Sequence, residues 1–335
     1  MQPYVRNLWY MAAWAEEVPD KGFLSRKLLD RPWLLMRLED GGYAMLADRC
    51  PHRFAPLSRG RREGDVVYCG YHGLGFNGSG ECVHNAFGTK IPPGARVGTM
   101  PIVERHSGLW FWPGEAERAD PALIPDFSFI EGPEPHQRGH LAMNANYELV
   151  TDNLMDLSHA EFLHVETFGV NGSLFGGKHQ VQTDETGAVW NNWDIDDSRP
   201  PDWAQPMLRE GAKVDQWLHM RWHAPASMAL AIGMAHAGTG REQLVVPRMF
   251  NPHIITPETQ KSSHYFYTSE PGEEAAERAR RVFVEEDEPM IEAVQDSLGD
   301  CDFWDARPIS LPSDAGAIRA RRELIKLRDT EAALN

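Results

Sequence analysis

The chain has 335 residues and a 42% apolar fraction, enough for about two domains at roughly 150 residues each, both with cores of their own. Lys and Arg total 33 against 49 Asp and Glu, a formal charge of -16; such a balance repels phosphate backbones and anionic lipid, and argues against nucleic-acid and membrane partners. Four cysteines, Cys50, Cys69, Cys82 and Cys301, are too few for a secreted disulfide scaffold. The first residues mix Arg6, Glu16 and Glu17 with apolar positions, unlike a signal or transit peptide, and a reducing cytoplasm is the expected location.

Residues 1–115 read as a small all-β unit. Short apolar runs at Trp33–Leu38, Tyr43–Ala47, Val66–Cys69 and Leu109–Trp112 are separated by Gly, Pro and Asp clusters. Within it, Cys50-Pro51-His52 is followed after 16 residues by Cys69-Gly70-Tyr71-His72-Gly73, so each of two loops offers one thiolate and one imidazole. Mixed loops of this kind suit a Rieske [2Fe-2S] centre, where Cys50 and Cys69 hold one iron and His52 and His72 the other. A zinc site is the alternative, but zinc fingers usually pair like with like within each loop. Cys82 and Cys301 have no such partner and read as small half-buried hydrophobes. A Pro- and Gly-rich stretch at 113–135 marks the boundary with a second domain, 136–335.

That domain begins with a helical pattern over Tyr147–Leu163 that concentrates acids and imidazoles: Asp152, Asn153, Asp156, His159 and His164. On a regular helix His159 and His164 point about 140° apart, so both reach one ion only if the helix distorts or ends before His164. Asp156, three residues before His159, shares its face. Thr167–His179 is rich in Gly and Asn and reads as a mobile loop. Strand candidates fill 187–268, and Met228–Ala235 alternates large and small side chains, which places Leu230 and Ile232 on one face; the small-residue face reads first as simple core packing, with room for a ring or a close-packed helix as the alternatives. Arg248 and His253 are candidates for orienting a polar or anionic substrate group, and Trp190, Trp193, Trp203, Trp217 and Trp222 could line a pocket or pack the core. A strongly helical segment, Glu273–Leu298, carries Glu285-Glu286-Asp287-Glu288. At 100° per residue Asp287 joins an apolar stripe of Ala276, Phe283, Met290 and Val294, Glu286 lies at its edge, and Glu285 and Glu288 point away. A buried carboxylate is costly unless paired or metal-bound, which selects Asp287 as third ligand beside His159 and His164, with Pro289 kinking the helix to aim it. Two imidazoles and one carboxylate leave open positions on Fe(II) for dioxygen. Mixed helix and antiparallel sheet, an α+β fold, is the reading for this half.

With these motifs in hand, the chain resembles the Rieske non-haem iron oxygenases, and within them the oxygenase components of vanillate and dicamba O-demethylases. The likeness rests on Val5-Arg6-Asn7 to Tyr10, Cys-Pro-His-Arg at 50–53, Tyr-His-Gly at 71–73, Asp152–Leu157, His159, His164, Thr256–Thr259, and Glu286-Asp287 followed by Glu292-Ala293. It spans nearly the whole length and is weakest over Phe168–Asp215; Gly70 stands where a proline is often found. The resemblance implies an all-β Rieske domain followed by a helix-grip catalytic domain, a head-to-tail homotrimer, and electrons drawn from NADH or NADPH through a reductase or ferredoxin. It further implies that Asp156 connects His72 of one subunit to His159 of the next, and Asn153 belongs to the same catalytic motif. The expected activity is O2-dependent O-demethylation of a methoxylated aromatic acid with release of formaldehyde. N-dealkylation or hydroxylation of another aromatic is the rival within the class, and a non-catalytic Rieske electron carrier the rival from outside it. About 200 residues beyond the cluster domain and a second ligand set weigh against the carrier.

Purified protein is expected to be red-brown, with about two cluster irons and two sulfides per chain plus up to one further iron. Replacing His52 or His72 by Ala should abolish the Rieske visible and electron-spin spectra; an unchanged spectrum in either variant would overturn the ligand assignment.

Overall fold

A computed structural model describes residues 3–131, 136–245 and 249–334. Arg248 and part of the 113–135 stretch lie outside the described residues. The chain divides into two compact units, one of residues 2–126 with 256–260, the other of 127–255 with 261–335.

The first unit is built from ten short strands: β1 (Tyr10–Trp14), β2 (Leu24–Leu28), β3 (Arg31–Arg37), β4 (Tyr43–Ala47), β5 (Arg61–Glu63), β6 (Val66–Tyr68), β7 (Gly75–Phe76), β8 (Cys82–His84), β9 (Ile102–Arg105) and β10 (Gly108–Phe111). They form three antiparallel sheets, β1-β10-β9, β2-β3-β4 and β5-β6-β7-β8. Alternating side chains of β3 and β4 feed two cores, with Leu34, Met36, Ala44 and Leu46 in one and Trp33, Leu35 and Met45 in the other, as a strand with two buried faces requires. Cys50, Cys69 and Cys82 sit in the first core. Cys301, by contrast, is exposed, which corrects the half-buried expectation: it follows the end of a helix and packs against nothing that would cover it.

In the second unit β11 (Gln137–Met143), β12 (Lys178–Thr183), β13 (Val189–Ser198), β14 (Val214–His223), β15 (Ser227–His236), β16 (Met249–Thr259) and β17 (Ser262–Ser269) make one antiparallel sheet in the order β11-β17-β16-β15-β14-β13-β12. Across β14, β15 and β16 the register pairs Met220 with Leu230 and Leu230 with Asn251, so these side chains share one face of the sheet. On the opposite face Gly233 pairs with Trp217, whose indole occupies the space a side chain would take. At Gly233 the small-residue face of β15 is therefore filled by packing, and Leu230 on the other face borders the cavity described below.

Four helices accompany the sheet: α1 (Tyr147–Met155), α2 (Glu273–Arg280), α3 (Glu288–Leu298) and α4 (Ala315–Leu334). Here α1 is shorter than the periodicity suggests. Asn146 caps its start by accepting from Glu148 N–H, and Asp156 ends it, its carboxylate accepting from Ser158 N–H and hydroxyl to open a 3-10 turn over Leu157–Glu161. The 167–179 segment is tied down by Glu161, whose carboxylate accepts from Gly172 N–H at 2.7 Å and Leu174 N–H at 2.8 Å. Against α1 lies α4, whose Arg321, 6% exposed, forks onto Asp152 at 2.7–2.9 Å and reaches Glu148 at 3.1 Å. Arg328 donates to Glu148 and to the Tyr147 hydroxyl. Bidentate, desolvated pairs of this kind fix geometry, and breaking one leaves a stranded buried charge at a cost of about 3–5 kcal/mol. No helix among the described residues is long and apolar enough to cross a membrane.

Candidate metal centres

The two Cys-His loops have one backbone plan. Cys50 C=O accepts from Phe54 N–H and Cys50 N–H donates to Ala55 C=O; Cys69 C=O accepts from Gly73 N–H and Cys69 N–H donates to Leu74 C=O, all at 2.8–3.0 Å. Both turns close through a left-handed residue, Phe54 at φ 61 and Gly73 at φ 71. Gly70 is required by crowding, since a Cβ there would stand 2.6 Å from the Arg59 carbonyl oxygen. Asp48, buried two residues before Cys50, holds the first loop to Ser58 by accepting from its N–H at 2.7 Å and its hydroxyl at 2.6 Å.

The result is a polarised donor set. Cys50 and Cys69 are 2% and 3% exposed, and burial pushes the Cys50 thiol up, with Cys69 beside it adding to the shift. His52 and His72 lie outward with ring centroids 4.5 Å apart. Two adjacent buried thiols with two imidazoles at the rim fit a cluster that has one thiolate-bound and one imidazole-bound iron. Cys82 is buried in the same core, but its thiol donates to the His84 carbonyl at 3.3 Å, a structural role.

In the second unit the end of α1 and the α2–α3 rod bring together His159, His164 and Asp287, whose ligand atoms all lie within 4.8 Å of one another. His159 Nε2 is 3.1 Å from His164 Nε2, and Asp287 Oδ1 is 3.6 Å and 3.3 Å from the two. Termination of α1 at Asp156 resolves the 140° problem, because the chain turns before it reaches His164. The second nitrogens are committed outward: His159 Nδ1–H donates to the Asp156 main-chain carbonyl, and His164 Nδ1–H to Glu286 Oε2 at 2.7 Å. The intrachain partner of His159 is thus the Asp156 carbonyl, while the Asp156 carboxylate binds Ser158. Asn153 Nδ2–H donates to Asp287 Oδ1 at 3.2 Å. Burial lowers the pKa of His159, while at His164 the Asp287 and Glu286 carboxylates outweigh burial and raise it. Two imidazoles and a carboxylate converging on one point fit a divalent transition metal with open positions.

Asp287 is 3% exposed, but the stripe around it differs from the expectation. Met290 and Val294 are 52% and 41% exposed, and Ala275, Val282, Ile291 and Gln295 are buried instead. The reason is a π-turn over Arg281–Asp287, in which Glu288 N–H reaches back five residues to the Phe283 carbonyl. One added residue in the turn shifts the buried face beyond it by one position, from Met290 and Val294 to Ile291 and Gln295. Pro289, which has no N–H to give, is the second residue of α3, directly after this π-turn.

Beside His159, His164 and Asp287 a largely apolar cavity of about 300 Å³ runs along the sheet, bordered by Leu154, Leu157, Phe168, Trp203, Leu230 and Phe283 among others. Ile232 is buried in the same strand and does not border it; of the five tryptophans considered, Trp203 does. His253 and Thr268 border the cavity, and each has a buried polar atom, Nε2 and Oγ1, with no partner among the described residues. His253 Nδ1 lies 2.5 Å from the Tyr265 hydroxyl. Burial raises the pKa of Tyr265 and lowers that of His253 to about 4, so Tyr265 donates, the ring is neutral, and its single proton sits on Nε2. Sequence reasoning did not single out Thr167, Thr268, Asn251 or Tyr265, and placed Glu286 only at the stripe's edge; hydroxyl and amide side chains on strands carry no distinctive spacing.

Comparison with known proteins follows this division. The Rieske [2Fe-2S] domain family matches residues 8–93 and the vanillate O-demethylase oxygenase C-terminal domain family matches residues 143–330. The chain is 37% identical to the dicamba O-demethylase oxygenase component of Stenotrophomonas maltophilia, over 98% of this chain and 99% of that one. It is 35% identical to the chloroacetanilide N-alkylformylase oxygenase component of Rhizorhabdus wittichii, over 96% and 94%. A crystal structure of dicamba monooxygenase bound to dicamba superposes with a TM-score of 0.88 at 36% identity, covering 98% of this chain and 99% of that one.

The neutral state of His253 implies a pH signature. An unfolded histidine takes up a proton below about 6.5, whereas the folded ring resists until about 4. Its contribution to stability is therefore full above about 6.5 and is lost as pH falls through this window, by up to about 3 kcal/mol. The unfolding midpoint should fall less steeply between pH 7 and 4.5 in His253→Asn than in wild type; parallel curves would refute the assignment.

Proposed function

The chain belongs to the Rieske oxygenase components that carry the vanillate O-demethylase oxygenase C-terminal domain, and we propose that it removes a methyl group oxidatively from a methoxylated aromatic acid. The cavity carries this reading: its apolar walls suit a ring, and His253 Nε2–H and the Thr268 hydroxyl offer hydrogen bonds to one polar substituent. Cys50, Cys69, His52 and His72 would hold the cluster, and His159, His164 and Asp287 the Fe(II). Bound iron supplies dioxygen activation. The protein's part is placement: Leu154, Leu157 and Phe283 exclude water around the ring, and the polar end anchors the acid so that the methoxyl group lies toward the ligand side chains. Overall, one O2, two electrons and two protons convert Ar–O–CH3 to Ar–OH, formaldehyde and water, through a hemiacetal that breaks down unaided. Electrons would come from NADH or NADPH through a reductase or ferredoxin.

A homotrimer is part of the proposal. Asp156 Oδ1 is bound to Ser158, and Oδ2 has no partner among the described residues, so it could accept from His72 of the partner subunit. The same residue's carbonyl already holds His159. Asp156 would then join two histidines with its two ends, side chain to one and main chain to the other.

N-dealkylation is the second reading, since the N-alkylformylase component is similar to this chain at nearly the same identity as the O-demethylase component. Oxygen uptake and formaldehyde release with a surrogate reductase, across methoxybenzoates, N-alkyl anilides and aryl sulfonates, separate the two. Turnover confined to anilides would reject the O-demethylase reading. In an intact, metal-replete Asp156→Asn trimer, cluster reoxidation by O2 with substrate present should slow by at least about tenfold; wild-type kinetics would remove this carboxylate from the electron path.

A further inference from the structure

The two imidazoles that converge on Asp287 are backed unequally. His159 Nδ1–H rests on a neutral main-chain carbonyl, whereas His164 Nδ1–H donates to the Glu286 carboxylate at 2.7 Å. The same Glu286 oxygen accepts from the Thr167 hydroxyl at 2.6 Å, and Arg281 Nε stands 3.6 Å from the other oxygen. The His164 ring is 5% exposed, and the Glu286 side chain is 14% exposed, so this contact is little screened by water.

The π-turn carries both groups. On an α-helix, neighbouring residues diverge by about 100°, yet Glu286 and Asp287 meet the same ring, one at Nδ1 at 2.7 Å and the other at Nε2 at 3.3 Å. One widened turn thus supplies both a ligand and the group that orients the neighbouring ligand. Resting on the reading that these side chains hold iron, we propose that Glu286 is a positioning residue that makes His164 the stronger of the two imidazole donors, with Thr167 fixing its carboxylate. An anionic partner on Nδ1–H increases electron density at Nε2 and locks the tautomer that points its lone pair at the metal; a carbonyl locks the tautomer with a weaker push.

Three variants of the full-length, cluster-loaded protein test this, using Fe(II) affinity by chelator competition and the electron-spin spectrum of the ferrous site with nitric oxide as probe. The visible spectrum of the cluster serves as the check on folding. Glu286→Gln keeps shape and an acceptor oxygen but removes the charge, and should weaken Fe(II) binding by about 10–100-fold and change the nitric-oxide spectrum. Thr167→Val should weaken it by a few fold in the same direction. Asp287→Ala should lose mononuclear iron and keep the cluster. Wild-type affinity and spectrum in Glu286→Gln, with iron lost from Asp287→Ala, would overturn the role of Glu286 alone. Iron retained at full affinity in Asp287→Ala would overturn the ligand reading and this inference with it. If Glu286→Gln does not accumulate as folded protein, Thr167→Val decides, and unchanged affinity there rejects the proposal.

Discussion

A carboxylate taken out of water at Asp287 sets the terms for the second half of the molecule. A buried charge without a partner is prohibitively expensive, and this one is met by Asn153 Nδ2–H and by two imidazole edges within 3.6 Å. Two converging nitrogen lone pairs beside an anion are themselves unfavourable until a cation completes them. The premature end of α1, the π-turn between α2 and α3, and the ion pairs that lock α4 onto α1 can each be understood as geometry that holds these few polar atoms together against the surrounding apolar wall.

How this fold is written in the chain depends on range. The Cys-His loops are legible because their main determinants are local, the Cys-X-His and Cys-X-X-His spacings, Gly73 in the second turn and strands on both sides, whereas the left-handed Phe54 of the first turn carries no such mark. Asp287 was selected correctly as the buried acid, but through an idealised helix whose downstream stripe was wrong. The π-turn adds a residue that no count at 3.6 per turn contains, so Met290 and Val294 were assigned to a face that Ile291 and Gln295 occupy. The end of α1 was foreseen as a requirement of the two histidines; its cause, Asp156 turning back to Ser158, is a capping pattern visible in the sequence. The rest is long-range: the salt-bridge partners of Arg321 lie 169 and 173 positions away, and no local pattern encodes such a separation.

The cavity shows a division of labour between sheet and helices. Strands β14 to β17 supply a wall that carries Met220, Leu230, Asn251, His253 and Thr268 around one space, while the segment after α1 and the π-turn between α2 and α3 supply His159, His164 and Asp287. A change in chemistry at the wall leaves the ligand geometry intact, which suits a family whose members act on different compounds. The neutral His253 fits that plan: it can donate to an acid, an amide or a sulfonate oxygen without the energetic penalty of a second buried charge.

The grip of α4 on α1 has a further consequence for anyone who maps this protein by mutation. Among the described residues Arg321 and Arg328 neither border the cavity nor contact His159, His164 or Asp287, yet they hold Glu148 and Asp152, and Asp152 immediately precedes Asn153. Defects at these C-terminal arginines will therefore imitate active-site lesions, and a scan that scores only turnover will draw the boundary of the catalytic machinery around a helix that never touches it.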